Sequence, residues 1–392
     1  MATPLVRRVA LKRAWTDHPD GHRKFHVAPT PSSGGIAIFA GVAAATAIVV
    51  VALPHLGLGP LGIPGIAMVG GILVMVLGAI DDVRGLDFKT KLVVEVFVAY
   101  MLLHAGLRIN LSVLPFVGED VFLHALYSIP LTILWVVGVM NAVNLVDGID
   151  GLASGVVAIA FASMALAYGL AGDLPLVFVA LVFVGALAGF LVHNFNPASI
   201  FMGDSGSLFL GYALAVYTLS GPIREEAILT PALPLLALGL PLLDTSLSMV
   251  RRVSSRRAMM APDHDHIHHR MSRAMSTRKA VAVLYAISAM FGLLAVLADS
   301  TTGMGVLIAL GCAAAVATGL LIRLGYVRLP YAAPALKPVA FPPTVGSNTP
   351  DVNVDSDAPA PAQSDAGPPR PSPLARRPAP PASPPRSSRA IP

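Results

Sequence analysis

Residues 141–204, "NAVNLVDGIDGLASGVVAIAFASMALAYGLAGDLPLVFVALVFVGALAGFLVHNFNPASIFMGD", decide the fold class. The apolar runs 152–171 and 174–192 are each long enough to cross roughly 30 Å of hydrocarbon as helices rising 1.5 Å per residue. Only Gly172 and Asp173 part them, so their polar outer ends return to one surface of the membrane. Similar runs recur outward in both directions, and the pattern predicts spans near 34–53, 62–80, 91–106, 126–142, 152–171, 174–192, 206–220, 228–250, 279–298 and 303–323. The expected fold is therefore an all-α polytopic membrane protein of about ten transmembrane helices. With 55% hydrophobic and 12% charged residues, and a mean hydropathy of +0.71, a water-soluble globule is excluded.

The charges orient the spans. Arg7, Arg8, Lys12, Arg13, Arg23 and Lys24, then Arg84, Lys89 and Lys91, then Arg251 to Lys279, all fall on one side, whereas the opposite loops hold Arg108 and Arg224. The positive-inside rule makes the richer side cytoplasmic and puts both termini there. Residues 1–33 lack an apolar stretch of signal-peptide type, so a cleavable leader is not expected. The domain reading is a cytoplasmic N-terminal segment (1–33) with an Arg/Lys/His motif, a transmembrane catalytic domain (34–323) and a Pro/Ala-rich cytoplasmic tail (324–392). Runs such as "PPRPSPLARRPAPPASPPRSSR" cannot bury enough apolar surface to order themselves, and a solvated extension outweighs an SH3-type ligand. The net charge of +5 flanks apolar segments instead of lining a groove with aromatics, which argues against nucleic acid. Cys312 is the single cysteine, so an intramolecular disulfide and a thiolate metal cluster are both excluded.

Polar residues are costly in a membrane protein, and here they collect at span ends on the cytoplasmic side. Asp81 and Asp82 close the second span; Asn141, Asn144, Asp147 and Asp150 follow the fourth; Asn194 and Asp204 follow the sixth; His264, His266, His268 and His269 occupy the loop after the eighth. Each cluster has a plain reading. Asp81 or Asp82 would cap the next helix, "DGIDG" would be a simple turn, and Asp204 would be an ordinary helix cap. Against these, two aspartates three residues apart share a face if the segment is helical, and "GDSG" ahead of a span suits phosphate or Mg²⁺ at a helix N-terminus. The histidine run suits a metal ion or a grip on phosphates. About five carboxylates and four histidines on one membrane face favour Mg²⁺-assisted phosphoryl chemistry, with a nucleotide diphosphate as the natural donor. A transporter with a cytoplasmic metal or proton site is the main alternative, but it predicts ionisable groups near the midplane. A lipid-binding scaffold is the third class, and it has no need of spaced aspartates.

Together the segments "RKFH" with "PTPSSGG" (Arg23 to Gly35), "DDVRGL" (Asp81 to Leu86), "NAVNLVDGIDGL" (Asn141 to Leu152), "FMGDSGSLFLG" (Phe201 to Gly211), "PLLDT" (Pro241 to Thr245) and "DHIHHRM" (Asp265 to Met271) resemble the polyprenyl-phosphate N-acetylhexosamine-1-phosphate transferase family. The likeness spans about 300 residues, and "HIHHR" with "DGHRKFH" is more similar to the N-acetylglucosamine-type branch than to the peptidoglycan translocase. The resemblance implies transfer of a sugar 1-phosphate from a UDP-N-acetylhexosamine to undecaprenyl or decaprenyl phosphate, with release of UMP, in the bacterial inner membrane. It implies that Asp204 ligates Mg²⁺, with Mn²⁺ as the substitute ion, while Asp81 or Asp82 deprotonates the lipid phosphate or helps hold the ion. It sets Asp147 and Asp150 against the uridine and diphosphate, Asn141, Asn144 and Asn194 on polar groups, and Phe201 on uracil. His266, His268 and His269 with Arg251, Arg252 or Arg256, and Lys24 with His26, would grip diphosphate or sugar. Direct attack on the β-phosphorus is favoured over an aspartyl-phosphate intermediate, which the sequence leaves open. Asp244, seven residues before Arg251, either lines the lipid-phosphate groove or pairs with an arginine. Two departures stand out: relatives usually carry a further span ahead of the segment matching "TPLVRRVALKRAW", and "SSRRAMMAPDHD" replaces a shorter stretch before the histidines. The partners implied are the sugar nucleotide, polyprenyl phosphate and membrane lipid, with a homodimer left open.

Overall fold

Runs of Ala, Val, Leu and Gly without polar interruption leave a helix as the form in which a single segment satisfies its own amides in lipid, and the described apolar runs take it. The computed structural model describes residues 2–13, 15–17, 29–109, 121–221, 236–254, 267, 270–271, 275–299 and 303–323. A short helix α1 (Ala2–Lys12) is followed by a two-residue antiparallel ladder, β1 (Thr16–Asp17) against β2 (Thr30–Pro31), in the register Thr16 to Pro31. Then come α2 (Gly34–His55), α3 (Gly65–Arg84), α4 (Phe88–His104), α5 (Val121–Val146), α6 (Leu152–Leu170), α7 (Leu174–Asn194), α8 (Gly203–Leu219), α9 (Gly239–Ser254), α10 (Thr277–Asp299) and α11 (Gly303–Arg323).

Each of the ten expected spans thus has a helix among the described residues, and six of these helices are long and apolar enough to cross a membrane. The protein is an all-α, multi-pass membrane protein. The helices differ from the expected spans mainly at their polar ends. α3 runs to Arg84 and α5 to Val146, so Asp81, Asp82, Asn141 and Asn144 lie inside helices and not after them. The reason is local: a polar side chain ends an apolar run without ending the backbone ladder.

The bundle is organised around α8, which packs against α2, α3, α5 and α6 and is buried almost all round. An all-round apolar helix belongs in an interior. Its two buried tyrosines bond across to neighbours: Tyr212 Oη donates to Ala67 O at 3.0 Å and Tyr217 Oη to Leu176 O at 2.9 Å. Close approach is allowed by glycine. A Cβ on Gly35 would lie 2.1 Å from Gly206 N, and one on Gly78 would lie 2.4 Å from Ser205 Cα, so α2 and α3 both touch the first turn of α8 backbone to backbone. The outer faces of α2, α3 and α4 carry exposed Ile48, Val51, Ile72, Val76, Val93 and Phe97, the surface a helix presents to lipid.

Candidate active site

The chain reverses so that the C-terminal ends of α3, α5 and α7 meet the N-terminal ends of α2, α4, α6 and α8, and the polar clusters gather there. Gly34 N and Gly35 N donate to Phe201 O and Met202 O, while Phe201 N donates to Pro31 O. These bonds stitch the start of α2 and the β2 strand to the 195–202 loop that leads into α8. Gly203, at φ +73°, makes the left-handed step that launches the helix, packed on Ser32 O and the Asp82 carboxylate.

Asp82 accepts from Asp204 N at 2.7 Å and from Ser205 N at 3.1 Å. It therefore caps a helix, as the plain reading held, but a helix 122 residues further along the chain and not the next one. The next helix, α4, is capped by Asp87, which accepts from Thr90 N at 3.3 Å. Asp204 does not cap its own helix. Its Oδ1 accepts from Asn144 Nδ2 at 3.0 Å and its Oδ2 from Lys91 Nζ at 3.1 Å. Lys91 Nζ also reaches Asp81 Oδ2 at 2.7 Å, and Asp81 accepts from Leu86 N through its other oxygen. One ammonium thus bridges two carboxylates. Of the pair, Asp204 is the open one, with 31% of its side chain exposed against 8% for Asp81.

Two residues outside the expected set complete this frame. Lys91 counted in the sequence only as an orienting charge, and Glu95 was passed over. They stand four apart on one face of α4, and Glu95, almost fully buried, accepts from Asn141 Nδ2 at 2.6 Å. Asn141 and Asn144, three apart on α5, thereby each meet one member of the α4 pair's circuit: Asn141 meets Glu95, and Asn144 meets the Asp204 that Lys91 also holds. Asn144 Nδ2 lies within 2.9 Å of Ser207 Oγ as well. The signal for Glu95 was available, since an ionisable side chain inside an apolar run marks function by default.

"DGIDG" is a turn between α5 and α6, so the expected helical face for Asp147 and Asp150 does not form. Asp150 Oδ2 accepts from Asn196 Nδ2 at 3.0 Å and Ala198 N at 2.9 Å, which ties the turn to the 195–202 loop. Asp147 has a different setting. Part of its surface meets solvent, yet protein mass surrounds the carboxyl and drives its pKa up to about 8, first by desolvation and then by the charges of Asp204, Asp82 and Asp150. Asn194 is buried, with its oxygen taking Gly151 N and Ser154 Oγ and its amide donating to Ile200 O. It is committed inside the protein. Arg7 Nε and Arg278 Nε reach the same loop from outside, at Ser199 O and Asn196 O.

Asp244 is buried in α9 and accepts from Ile267 N at 2.9 Å, so this acid holds the backbone of the histidine motif. Of the expected grip residues, Lys24, His26, Arg256, His266, His268 and His269 lie outside the described residues, and Arg251 and Arg252 are placed only as backbone in α9. The tail from 324 also lies outside them. Among the described residues no three His, Cys, Asp or Glu side chains converge as a closed metal cage. The donor set nevertheless suits Mg²⁺, which takes one or two carboxylates and completes its shell with water and substrate phosphates. The carboxylates of Asp81 and Asp204 already share one cation, the Lys91 ammonium.

The chain is similar to known proteins over most of its length. The glycosyl transferase family 4 profile matches residues 64–221, from α3 to the end of α8. A probable undecaprenyl-phosphate N-acetylglucosaminyl 1-phosphate transferase of Bacillus subtilis is 38% identical over 306 residues, covering 76% of this chain and 82% of its own length. The chain belongs to glycosyl transferase family 4. A decaprenyl-phosphate N-acetylglucosaminephosphotransferase of Mycolicibacterium smegmatis is 38% identical over 308 residues, covering 72% of this chain and 75% of that protein. An undecaprenyl-phosphate alpha-N-acetylglucosaminyl 1-phosphate transferase of Salmonella typhi is 30% identical over 290 residues, covering 73% of this chain and 76% of its own length. The matched family region holds the whole Asp81, Asp82, Lys91, Asn144 and Asp204 constellation.

Proposed function

We propose that this family 4 protein transfers N-acetylglucosamine 1-phosphate from UDP-N-acetylglucosamine to a polyprenyl phosphate in a bacterial inner membrane, with the site end of the bundle cytoplasmic. The observation that carries the reading is the open Asp204 carboxylate at the start of α8, flanked by Lys91 and Asn144 at a membrane-facing bundle end. A lipid phosphate lies at that depth in the bilayer, and a sugar nucleotide arrives from water, so the two meet where these groups stand. Transport has no comparable support, because Asp81, Asp82, Asp147, Asp150 and Asp204 gather at one end of the bundle.

Asp204 would hold Mg²⁺, or Mn²⁺ in its place, with Asp81 as the second carboxylate within reach of the same charge. The ion supplies Lewis-acid neutralisation of the diphosphate when bound. An oxygen of the lipid phosphate attacks the β-phosphorus, the bond from that phosphorus to the bridging oxygen breaks, and UMP leaves with the electron pair. Lys91 donates to the non-bridging oxygens on which charge is held. Asp82, whose oxygens both accept from α8 amides, fixes the helix that carries Asp204. Asn144 orients the Asp204 carboxylate, and Asp147 faces the nucleotide with its proton on at neutral pH. Phe201 and the histidine motif, whose backbone Asp244 holds, complete the donor pocket in this reading.

The test is UMP release by the purified protein from UDP-N-acetylglucosamine, polyprenyl phosphate and Mg²⁺, beside EDTA and Asp204→Asn controls. Lipid-dependent release lost in both controls is the expected result. Absence of release across UDP-N-acetylglucosamine, UDP-N-acetylgalactosamine and other UDP-sugars would refute it.

A further inference from the structure

Helix α1 has no part in the proposed chemistry, yet its surface is unlike that of a helix facing water. Its sequence, "ATPLVRRVALK", contains no acid, and with Arg13 it presents four cations within seven positions. Thr3 and Ala10 are buried, and the helix packs against α2. The other faces are open. Leu5 and Val9, four apart, form one exposed apolar row, with Leu5 64% exposed; Arg8 and Lys12, also four apart, form the next row. Trp15 follows the helix and is exposed as well. The Arg7 guanidinium ties the helix to Ser199 O in the 195–202 loop, which fixes its level at the site end of the bundle, beside the first turns of α2. A span of the length of α2 that crosses a bilayer has its first turns at the bilayer's edge.

We propose that α1 is a docking helix for an anionic phospholipid surface. Leu5 and Val9 enter the boundary between headgroups and acyl chains, Arg8, Lys12 and Arg13 extend to lipid phosphates, and Trp15 sits at the same depth. Charge complementarity selects the occupant. A neutral or cationic partner would leave three exposed cations without a counter-charge, and water would leave the Leu5 and Val9 row unburied. Through Arg7 the docked helix braces the loop that leads into α8, so headgroup charge and loop order are linked by one hydrogen bond. The docking does not depend on the transferase reading.

The protein has two tryptophans, so Trp135→Phe leaves Trp15 as the sole emitter. The full chain, reconstituted in nanodiscs of phosphatidylcholine with or without phosphatidylglycerol, is probed with lipids brominated near the glycerol. Trp15 emission is expected to be quenched strongly with phosphatidylglycerol and weakly without it. Each neutralisation among R8Q, K12Q and R13Q is expected to weaken docking by about fivefold. Added salt should release the unsubstituted helix, a measurement that does not depend on any charge variant folding. Trp15 emission unquenched in both lipids overturns the proposal, whether water or a second copy of the chain covers the face. Quenching equal in both lipids and indifferent to salt overturns the anionic assignment. Quenching can hold while UMP release fails, or the reverse, so the two readings fail separately.

Discussion

The two ends of α3 and α8 obey different rules. At the site end, α3 commits Asp82 to two amides of α8 and Asp81 to Lys91, and Gly78 lets the helices touch at the backbone. Toward its other end, α3 exposes Ile66, Met68, Val69 and Ile72, and its bond to α8 is one tyrosine hydroxyl on Ala67 O. Directional bonds among few partners set the first region; non-directional contact among many interchangeable partners sets the second. Substitutions should therefore be punished in proportion to how many directed bonds they break, and not to how much apolar area they remove.

The sharpest break is Asp204→Asn, which should lower the rate of UMP release by about 10³-fold, the worth of several kcal/mol of metal binding, with the protein still folded by thermal unfolding. Lys91→Ala comes next. Removing the ammonium leaves two facing carboxylates and an unneutralised phosphate, and about 10²-fold is expected in kcat. Asn144→Ala should cost roughly 10 to 100-fold, read mainly as a higher Mg²⁺ requirement, since the side chain orients a ligand and does not itself bind. A return to wild-type Mg²⁺ dependence in Asn144→Ser would sharpen that role.

Asp147 offers a test in pH. Its folded pKa near 8 lies above the ordinary carboxyl value, so the folded state holds the proton more tightly than the unfolded chain. The stability linked to it is fully present below about pH 4 and is lost as pH rises through about 8. Metal-free protein should accordingly show a Tm that falls over this window, and Asp147→Asn should flatten the fall. A slope unchanged by the substitution would show the proton resides elsewhere. At the small end of the scale, Val69→Ala on the lipid face should change stability by about 0.5 kcal/mol or less and leave the rate alone.

The same contrast explains what could be read in advance. Helices are legible because a bilayer demands about 20 apolar residues in a row, a rule that needs no partner. Asp204, Asp81 and Asp82 were legible as a cluster by their placement at span ends. Their division of labour was not: that Asp82 caps α8 depends on a contact across 122 residues, and that Asp204 is left open depends on Asp82 having done so. Asn194 and Asp150 look like ligand groups in sequence because Asn and Asp are ligand types, yet Asn194 is buried against the 195–202 loop and Asp150 gives one of its oxygens to that loop. Lys91 escapes notice because topology accounts for a lysine at a helix entry; Glu95 stands out as an acid inside an apolar run, and its bond from Asn141 on α5 shows which frame it belongs to.

The cap that Asp82 places on α8 has a consequence for biosynthesis. α3 emerges from the ribosome well before α8, and until the two meet, the first amides of α8 lack the carboxylate that accepts from them in the finished bundle. That contact also fixes the start of α8, from which the Asp204 carboxylate reaches Lys91 and Asn144. A chain in which α3 and α8 have not met therefore lacks the geometry of the site, however many of its spans are already in the membrane.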